Sequence, residues 1–429
     1  MDAPRYRWVV LAVGTAAQAA TATYFLGLAA VTPALRTYFD LDLAGVGLLI
    51  GAISVGLVAT LIPWGGAADR FGERGVMTIG LLGSALALAA TALVADPLVA
   101  GGLLMLAGAS GASVNAASGR AVLTWFPSQS RGLAMAVRQT SVPVGAALAA
   151  VALPPIAASG GIPAVFVTLS LTSLAAAVAV AAAVREPPGA PARGARPTSR
   201  AREVLTDRRL QRLSLAGLLL VVPQFLGSVF LVEILHEGPD GDDAALSLAT
   251  AGALLALTQV LGALGRLGNG VWSDRVGSRL RPLRIVAVAV AVGFAAAALL
   301  QPGPVWLLAA VLVPAAALAI SWNGLVFTAA GELAPPGRAA TAMAVSNTAN
   351  YIAAAATPVL GGLLAQAAGW PAMLALGAAA ALAALLTLRR LAEPGPARLP
   401  VTVAGPVDVT PVMPRRTSGC EHGTVGPGH

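Results

Sequence analysis

The stretch Gly65–Gly72, which reads Gly-Gly-Ala-Ala-Asp-Arg-Phe-Gly, returns as Gly270–Gly277 in the form Gly-Val-Trp-Ser-Asp-Arg-Val-Gly. Both stretches follow the pattern Gly-x-x-x-Asp-Arg-x-Gly, and their aspartates, Asp69 and Asp274, lie 205 residues apart (274 − 69). Residues 134–140 and 342–348 match with an offset of 208, which also maps positions 113 and 115 onto 321 and 323. Three ordered matches at nearly one offset indicate that the second half of the chain duplicates the first.

The chain has 429 residues, of which 57% are hydrophobic and only 11% are charged. A water-soluble chain carries about twice that charged fraction, so the composition excludes a soluble protein and predicts an all-α polytopic membrane protein. Apolar stretches of about 20 residues, enough to cross a bilayer core of roughly 30 Å, give twelve transmembrane spans in two groups of six. These spans cover residues 8–35, 44–64, 76–95, 98–124, 132–155 and 162–184, then 213–235, 245–267, 283–301, 304–330, 339–365 and 370–391.

The basic residues are unevenly distributed along the chain. All 27 are arginine, against 19 acids, and the net charge is +8. An N-terminus in the cytoplasm places nearly every loop arginine on that side, as the positive-inside rule requires, so both termini are predicted to be cytoplasmic. The excess therefore predicts a lipid bilayer as the partner, not nucleic acid; a lipid-headgroup or partner site in the linker is the alternative. The arginines of the central linker are Arg185, Arg193, Arg196, Arg200, Arg202, Arg208, Arg209 and Arg212.

Composition also divides the chain into regions. We predict an N-terminal six-helix bundle (1–184), a Pro/Gly/Arg-rich cytoplasmic linker (185–212), a C-terminal six-helix bundle (213–391) and a disordered cytoplasmic tail (392–429). Cys420 is the sole cysteine, and it shares the tail with His422 and His429. These residues are too few for a metal site at any usual spacing, so neither a metal nor another cofactor is expected.

The repeated Asp-Arg pattern after spans 2 and 8, the twelve spans and the long central linker resemble the major facilitator superfamily of secondary transporters over nearly the whole chain. The resemblance implies two six-helix bundles related by a pseudo-twofold repeat around a midplane site, which opens alternately to the two sides of a bacterial cytoplasmic membrane. It also implies a monomer that is not an enzyme. Within the superfamily, Trp125–Gly132 followed by Arg138-Gln139-Thr140 is similar to a bacterial branch related to nitrate/nitrite and organic-anion porters.

The resemblance further implies that the two Asp-Arg segments act as a conformational latch, together with a basic residue in span 4. A carboxylate at the end of a span can cap a helix N-terminus or pair with an arginine, and such contacts bias a two-state equilibrium. We expect Glu332 to face Arg275 or Arg338; the alternative is that all these charges only orient the chain. The predicted gating residues are Gly65, Asp69, Arg70, Gly72, Arg120, Gly270, Asp274, Arg275, Gly277 and Glu332.

Arg138 is the candidate for substrate chemistry. It lies six residues into span 5, about 9 Å along the helix, and its repeat mate is Ser346, so the fold does not require its charge. A guanidinium offers paired donors that suit a carboxylate or an oxyanion. Two alternatives are that it snorkels to the surface or pairs with Glu332.

Uncharged polar residues elsewhere in the spans predict a mildly polar, mostly neutral cavity around Arg138. Proton coupling would need a buried carboxylate, and only Glu233 falls inside a span, near its outer end; a plain interfacial role is the alternative. The remaining predicted substrate-binding residues are Gln18, Tyr24, Asn115, Gln139, Gln224, Asn323, Asn347, Asn350 and Tyr351.

The sequence thus predicts a secondary transporter of a small organic or inorganic anion, with a proton as a possible coupling ion. The neutral cavity keeps a second function open, the efflux of drug-like compounds by proton antiport. A sensor that does not transport is the third, because a fold does not fix a function. Span 7 is followed by an acidic loop, residues 240–243, whose spacing does not match a metal-dependent enzyme site.

Overall fold

The computed structural model describes residues 3–185, 199–237, 246–301 and 303–392, together with Gly426 and Gly428. Within these ranges the regular structure is entirely helical, and ten helical segments are long and apolar enough to cross a membrane. Linker arginines 193 and 196, the acidic loop 240–243 and the tail residues Cys420, His422 and His429 lie outside the described residues.

The helices follow the predicted spans closely. Span 1 is α1 followed by a short 3-10 turn and α2, and span 10 is divided into two helices. In chain order the helices are α1 (Ala3–Phe25), α2 (Thr32–Phe39), α3 (Leu43–Phe71), α4 (Glu73–Thr91), α5 (Pro97–Trp125), α6 (Arg131–Gln139), α7 (Ser141–Ala183), α8 (Ala201–Thr206), α9 (Arg208–Glu237), α10 (Leu248–Val276), α11 (Leu280–Leu300), α12 (Val305–Ile320), α13 (Asn323–Leu333) and α14 (Ala339–Arg389).

Two glycines turn the ten helical segments into twelve spans. Gly161 inside α7 and Gly369 inside α14 have φ values of 70° and 79° with extended ψ, a conformation that is essentially restricted to glycine. Each is followed two residues later by a proline, Pro163 or Pro371, which suits the first turn of the next helix. The two glycines are 208 residues apart (369 − 161), which is the sequence offset of the repeat. The predicted twelve-helix fold with two related halves is confirmed.

The repeated Asp-Arg segments are helical, although predicted spans 2 and 8 end before them. Helix α3 continues to Phe71 and α10 to Val276, so each aspartate lies in the last two turns of its helix. Only the final glycines leave the helical conformation, Gly72 with φ 80° and Gly277 with φ 65°. Glycine adopts positive φ without steric cost, so it ends the helix directly after the Asp-Arg pair and holds the carboxylate in a rigid frame.

Small residues bring the helices of the first half close together. A Cβ on Gly56 of α3 would lie 1.9 Å from the carbonyl oxygen of Met105 on α5, and one on Gly108 would lie 2.0 Å from that of Ile53. Such contacts are possible only for glycine, and they supply the dispersion energy that joins helices in a bilayer. They fix α5, which carries Asn115 and Arg120, against α3.

The end of the linker packs against the second half. The Ser199 hydroxyl donates to the carbonyl of Pro336 at 2.9 Å, and its own carbonyl accepts from Arg338 at 2.9 Å. Val204 of α8 is buried in the core of the second half. At the other end of the linker, the Trp125 indole donates to the Arg185 carbonyl. We call the end of the molecule that carries Arg185, Ser199 and Arg338 the linker face.

We predict that Gly369→Ala lowers the melting temperature of the purified protein by a few degrees. An L side chain in this conformation costs about 1–3 kcal/mol. Gly161→Ala should behave similarly, since its backbone is nearly the same. Gly268→Ala is the matched control: a Cβ there meets nothing within 4 Å, and alanine favours a helix. An unchanged melting temperature in both Gly161→Ala and Gly369→Ala would show that neither position requires glycine.

Candidate functional site

The first contact between the halves is made by Asp69 at the end of α3. Its carboxylate accepts hydrogen bonds from the backbone N–H groups of Ala340 and Thr341 at 2.9 Å each, and from the Thr341 hydroxyl at 2.6 Å. These N–H groups belong to the first turn of α14, where backbone N–H groups have no acceptor within the helix. A negative charge at this position also complements the helix dipole. Asp69 therefore caps a helix of the opposite half.

Asp274 makes the equivalent contact in the other direction. Its two oxygens accept from the N–H groups of Gly132 and Leu133, at 2.9 and 2.8 Å, in the first turn of α6. The positions correspond through the repeat, because 132 + 208 = 340 and 133 + 208 = 341. Each half thus caps the equivalent helix of its counterpart. We call the two arrangements the Asp69 latch and the Asp274 latch.

Close helix approach makes both latches possible. A Cβ on Gly270 would lie 2.6 Å from the Gly132 carbonyl oxygen, and one on Gly132 would lie 2.6 Å from that of Gly270. A Cβ on Gly65 would lie 2.9 Å from the Ala344 side chain and 3.0 Å from the Ala340 carbonyl oxygen. Each motif glycine precedes its aspartate by four residues, one helical turn, so it lets the backbones approach where the carboxylate must reach across.

Ion pairs support the latches, with the charges exchanged between the halves. In the first half, Arg120 of α5 contacts Glu73 at 2.7 Å and Asp69 at 3.6 Å. In the second half, the arginine is Arg279, which directly precedes α11, and the acid is Glu332 in α13. Arg279 contacts Asp274 at 2.6 Å and Glu332 at 3.2 Å. Burial opposes the charge of Arg279, but its bonds to Glu332 and Asp274 raise its pKa above the ordinary value.

The prediction that Glu332 faces Arg275 or Arg338 was wrong. Glu332 pairs with Arg279 and, at 3.6 Å, with Arg131. Arg338 instead donates to the Ser199 carbonyl in the linker. The motif arginines Arg70 and Arg275 are exposed at the linker face and make none of the latch contacts described above. Arg279 is five residues beyond Asp274 in the sequence, yet its side chain turns back to contact Asp274, and sequence position alone does not show this contact.

Arg138 is fully enclosed, with 3% of its surface exposed. Its guanidinium donates to the Ser118 hydroxyl at 2.8 Å, the Asn115 carbonyl at 2.7 Å and the Gln139 side-chain oxygen at 2.7 Å. It neither reaches the surface nor pairs with Glu332, so the two alternatives considered for it are wrong.

A second buried arginine, Arg266 of α10, is 8% exposed and was not among the predicted site residues. It donates to the Ile320 carbonyl at 2.8 Å, to the Gln139 carbonyl of the opposite half at 2.9 Å and to the Asn323 amide oxygen at 3.4 Å. Arg266 lies in the last turn of predicted span 8, where an arginine is also expected as a marker of topology. The signal that could have found it is the repeat, because the equivalent position (266 − 205 = 61) holds Leu61.

Gln139 connects the two arginines across the interface. Its side-chain oxygen accepts from Arg138 of its own half, and its backbone carbonyl accepts from Arg266 of the other. In the described part of the chain, the hydrogen bonds of both guanidiniums go to neutral oxygens and a thioether, and neither forms a salt bridge. Two buried positive charges without a carboxylate are costly, and an anion between them would offset that cost.

Other predicted substrate residues lie beside this pair. The Gln18 amide donates to Asn115 at 3.0 Å, and both line a cavity with Tyr351 of the opposite half. This cavity has a volume of about 10 Å³, close to the minimum for one water molecule. Tyr24 also borders it, but its hydroxyl bonds to Ser84 and the Ala107 carbonyl within the first half, which indicates a packing role.

The second half contributes neutral polar groups. Asn350 is buried, and neither of its amide atoms has a partner. The Gln224 side-chain oxygen and the Trp322 indole N–H are also buried without one, and Asn347 is half-buried one turn before Asn350.

Glu233 is exposed on α9, in the last turns of the helix away from the linker face. It does not lie in the interior near the guanidiniums, so the structure offers no support for it as a buried proton carrier. Among the described residues, no three His, Cys, Asp or Glu side chains group in a way that could hold a metal ion.

Comparison with known proteins agrees with this architecture. Residues 12–358 match the family description Major Facilitator Superfamily. An uncharacterised MFS-type transporter of Mycobacterium tuberculosis strain H37Rv is 38% identical over 405 residues, which cover 91% of this chain and 86% of the relative.

Solved structures resemble the fold at low sequence identity. A variant of the E. coli fucose:proton symporter FucP is 16% identical, with a TM-score of 0.68 over 87% of this chain and 97% of its own. The human organic anion transporter MFSD10 is 19% identical, with a TM-score of 0.69 over 89% and 99%.

We predict that Asp69→Asn makes the linker face open more often. Loss of the charge at the α14 N-terminus costs up to about 2 kcal/mol, so the open population should rise by up to about thirtyfold. A Met343→Cys reporter in a Cys420→Ser background measures this as a faster maleimide labelling rate. Met343 is buried, and its sulfur lies within 3.0 Å of where a Gly119 Cβ of the other half would stand.

Asp96→Asn is the matched control for that experiment. Asp96 accepts two backbone N–H groups, from Leu98 and Val99, at the start of α5, but it does so within one half. Its substitution should leave the labelling rate within twofold. Equal rates for the Asp69 and Asp96 variants would rule out the latch.

Proposed function

This chain belongs to the major facilitator superfamily, and we propose that it moves a small organic or inorganic anion across the bacterial cytoplasmic membrane by alternating access. It is a multi-pass membrane protein of a family of secondary transporters. One observation carries the anion assignment: Arg138 and Arg266, one from each half, are buried beside Gln139 without a carboxylate partner.

The chemistry of the two side chains favours an anion. A guanidinium stays charged and offers planar, paired N–H donors that match a carboxylate or an oxyanion. In the described structure these donors are occupied by neutral oxygens, which an anion can replace with stronger, charge-assisted bonds. The substrate would then bring the negative charge that the interior lacks. The residues assemble for binding, and we infer no enzymatic reaction.

The geometry connects this site to the movement of the halves. Both latches lie at the linker face, and the Arg266 bond to Gln139 crosses the interface immediately beyond them. Opening the linker face must separate Asp69 from α14, Asp274 from α6 and Arg266 from Gln139. An anion held by both guanidiniums therefore experiences a different site in the two states, which is the requirement for coupling binding to alternation.

We further propose that the linker face is cytoplasmic, with both termini on that side. The exposed arginines at this end, including Arg70, Arg275 and Arg202, support that orientation through the positive-inside rule. A proton remains the candidate coupling ion, because it would offset the charge of the anion. Among the described residues, the buried carboxylates are Asp69 and its neighbour Glu73, whereas Glu233 is exposed.

Efflux of drug-like compounds by proton antiport fits the interior less well where the compound is a cation. Two buried guanidiniums repel a cation, and the interior that was predicted to be mostly neutral holds Arg266 as well as Arg138. A sensor on the same fold would bind an anion without moving it.

We predict that Arg138→Gln and Arg266→Gln each weaken anion binding by about 30-fold or more, because each removes charge-assisted hydrogen bonds worth roughly 2 kcal/mol. Calorimetry on the purified protein would measure affinity, and counterflow in proteoliposomes would measure transport. Counterflow by the wild-type protein would exclude the sensor.

Arg284→Gln is the matched control for these variants. Arg284 donates to the carbonyls of Leu388 and Leu391 within the second half, so it too is an arginine held by neutral oxygens. Its loss should lower the melting temperature without changing anion affinity. Wild-type affinity in both Arg138→Gln and Arg266→Gln would reject the anion assignment.

A further inference from the structure

Two amide side chains at a similar depth to the guanidiniums retain hydrogen-bonding atoms without a partner. Asn350 is 6% exposed and both its Oδ1 and Nδ2 are unpaired, while Gln18 is 2% exposed and its Oε1 is unpaired. A buried polar atom without a partner costs about 1–3 kcal/mol, so such atoms usually await a ligand or water. Unlike the guanidiniums, these side chains include hydrogen-bond acceptors.

The side chain of Asn350 lies where Gly217 of α9, which has no side chain, leaves room for it. A Cβ on Gly217 of α9 would lie 2.9 Å from Asn350 Oδ1 and 3.6 Å from the ring of Trp322. Any larger residue at position 217 would press on the amide. Trp322 is fully buried, and its indole N–H also has no partner. The amide and the indole therefore form a neutral polar wall between α9, α14 and the end of α12.

The amides and the guanidiniums lie at similar depths from the linker face. At 1.5 Å per residue, Arg138 is about 8 Å along its helix from Leu133, Arg266 about 12 Å from Asp274 and Asn350 about 14 Å from Thr341. Gln18 is joined to the set through Asn115, whose side chain it binds and whose carbonyl binds Arg138. Gln18 thus belongs to the hydrogen-bonded group that includes Arg138, and Asn350 lies at a similar depth in the opposite half.

We propose that the substrate is a hydroxylated carboxylate, an assignment that rests on the proposed anion transport. Its carboxylate binds Arg138 and Arg266, and its hydroxyl groups bind Asn350 and Gln18. A hydroxyl donates to an amide oxygen and accepts from an amide N–H, so it satisfies Asn350 whichever way that amide is oriented. An inorganic oxyanion such as nitrate has only acceptors and would leave the amide oxygens unpaired.

Calorimetry on the purified full-length protein tests this with five probes: nitrate, propionate, lactate, glycerate and glycerol. Glycerate should bind at least about tenfold more tightly than propionate, with lactate between them, and glycerol should not bind. Asn350→Leu should reduce glycerate affinity to that of propionate and leave propionate affinity within twofold.

Thr357→Val is the matched control, because Thr357 is buried on the same helix and its hydroxyl bonds only to the Ala353 carbonyl. This variant should keep the preference for glycerate. Gln18→Leu provides a second, independent reading in the other half, and it should narrow the preference for glycerate whether or not Asn350→Leu folds.

The outcomes separate the two proposals. Nitrate or propionate binding as tightly as glycerate, with affinity lost in Arg138→Gln, would overturn the hydroxycarboxylate and keep the anion transporter. Retention of the glycerate preference in both Asn350→Leu and Gln18→Leu would also overturn it. Binding of glycerol as tightly as glycerate, unaffected by Arg138→Gln, would overturn anion transport itself.

Discussion

The architecture depends on how free N–H groups at helix N-termini are satisfied near the membrane surface. A helix leaves its first N–H groups without intrahelical partners, and in this protein α6 and α14 obtain acceptors from the opposite half. Asp69 and Asp274 supply those acceptors together with a charge that suits the helix dipole. Closure of the linker face is therefore a hydrogen-bonding requirement of two helices as well as an attraction between two surfaces.

The latches are symmetric and the interior is not. Repeat-equivalent backbone groups, 132 with 340 and 133 with 341, receive the two carboxylates, and Gly65 and Gly270 permit the same close approach. The buried arginines have no such counterparts, because Ser346 and Leu61 stand at the equivalent positions. The duplicated frame supplies the contacts that hold the linker face closed, whereas the buried arginines, which we propose to bind the anion, occur once each.

Gln139 lies where these two features meet. It follows Arg138 in the chain, ends the helix that Asp274 caps, and accepts a bond from Arg266 across the interface. Separation of the halves at the linker face would break that bond and leave Arg266 with one acceptor fewer in a region of low dielectric constant. An anion that replaces the lost acceptor would lower the cost of the movement, so binding and opening share an energetic term.

The sequence by itself determined the twelve helices and the duplication, and it singled out Asp69, Asp274 and Arg120, because apolar length and a repeated motif are local properties of the chain. It also singled out Arg138, since a charge deep in a span is visible without a structure. Only the tertiary structure showed that each aspartate caps a helix of the other half, that Arg279 partners Glu332, and that Arg266 is buried beside Gln139. These are contacts between residues 53 to 272 positions apart. Which arginine stays at the surface and which enters the interior depends on how one half packs against the other.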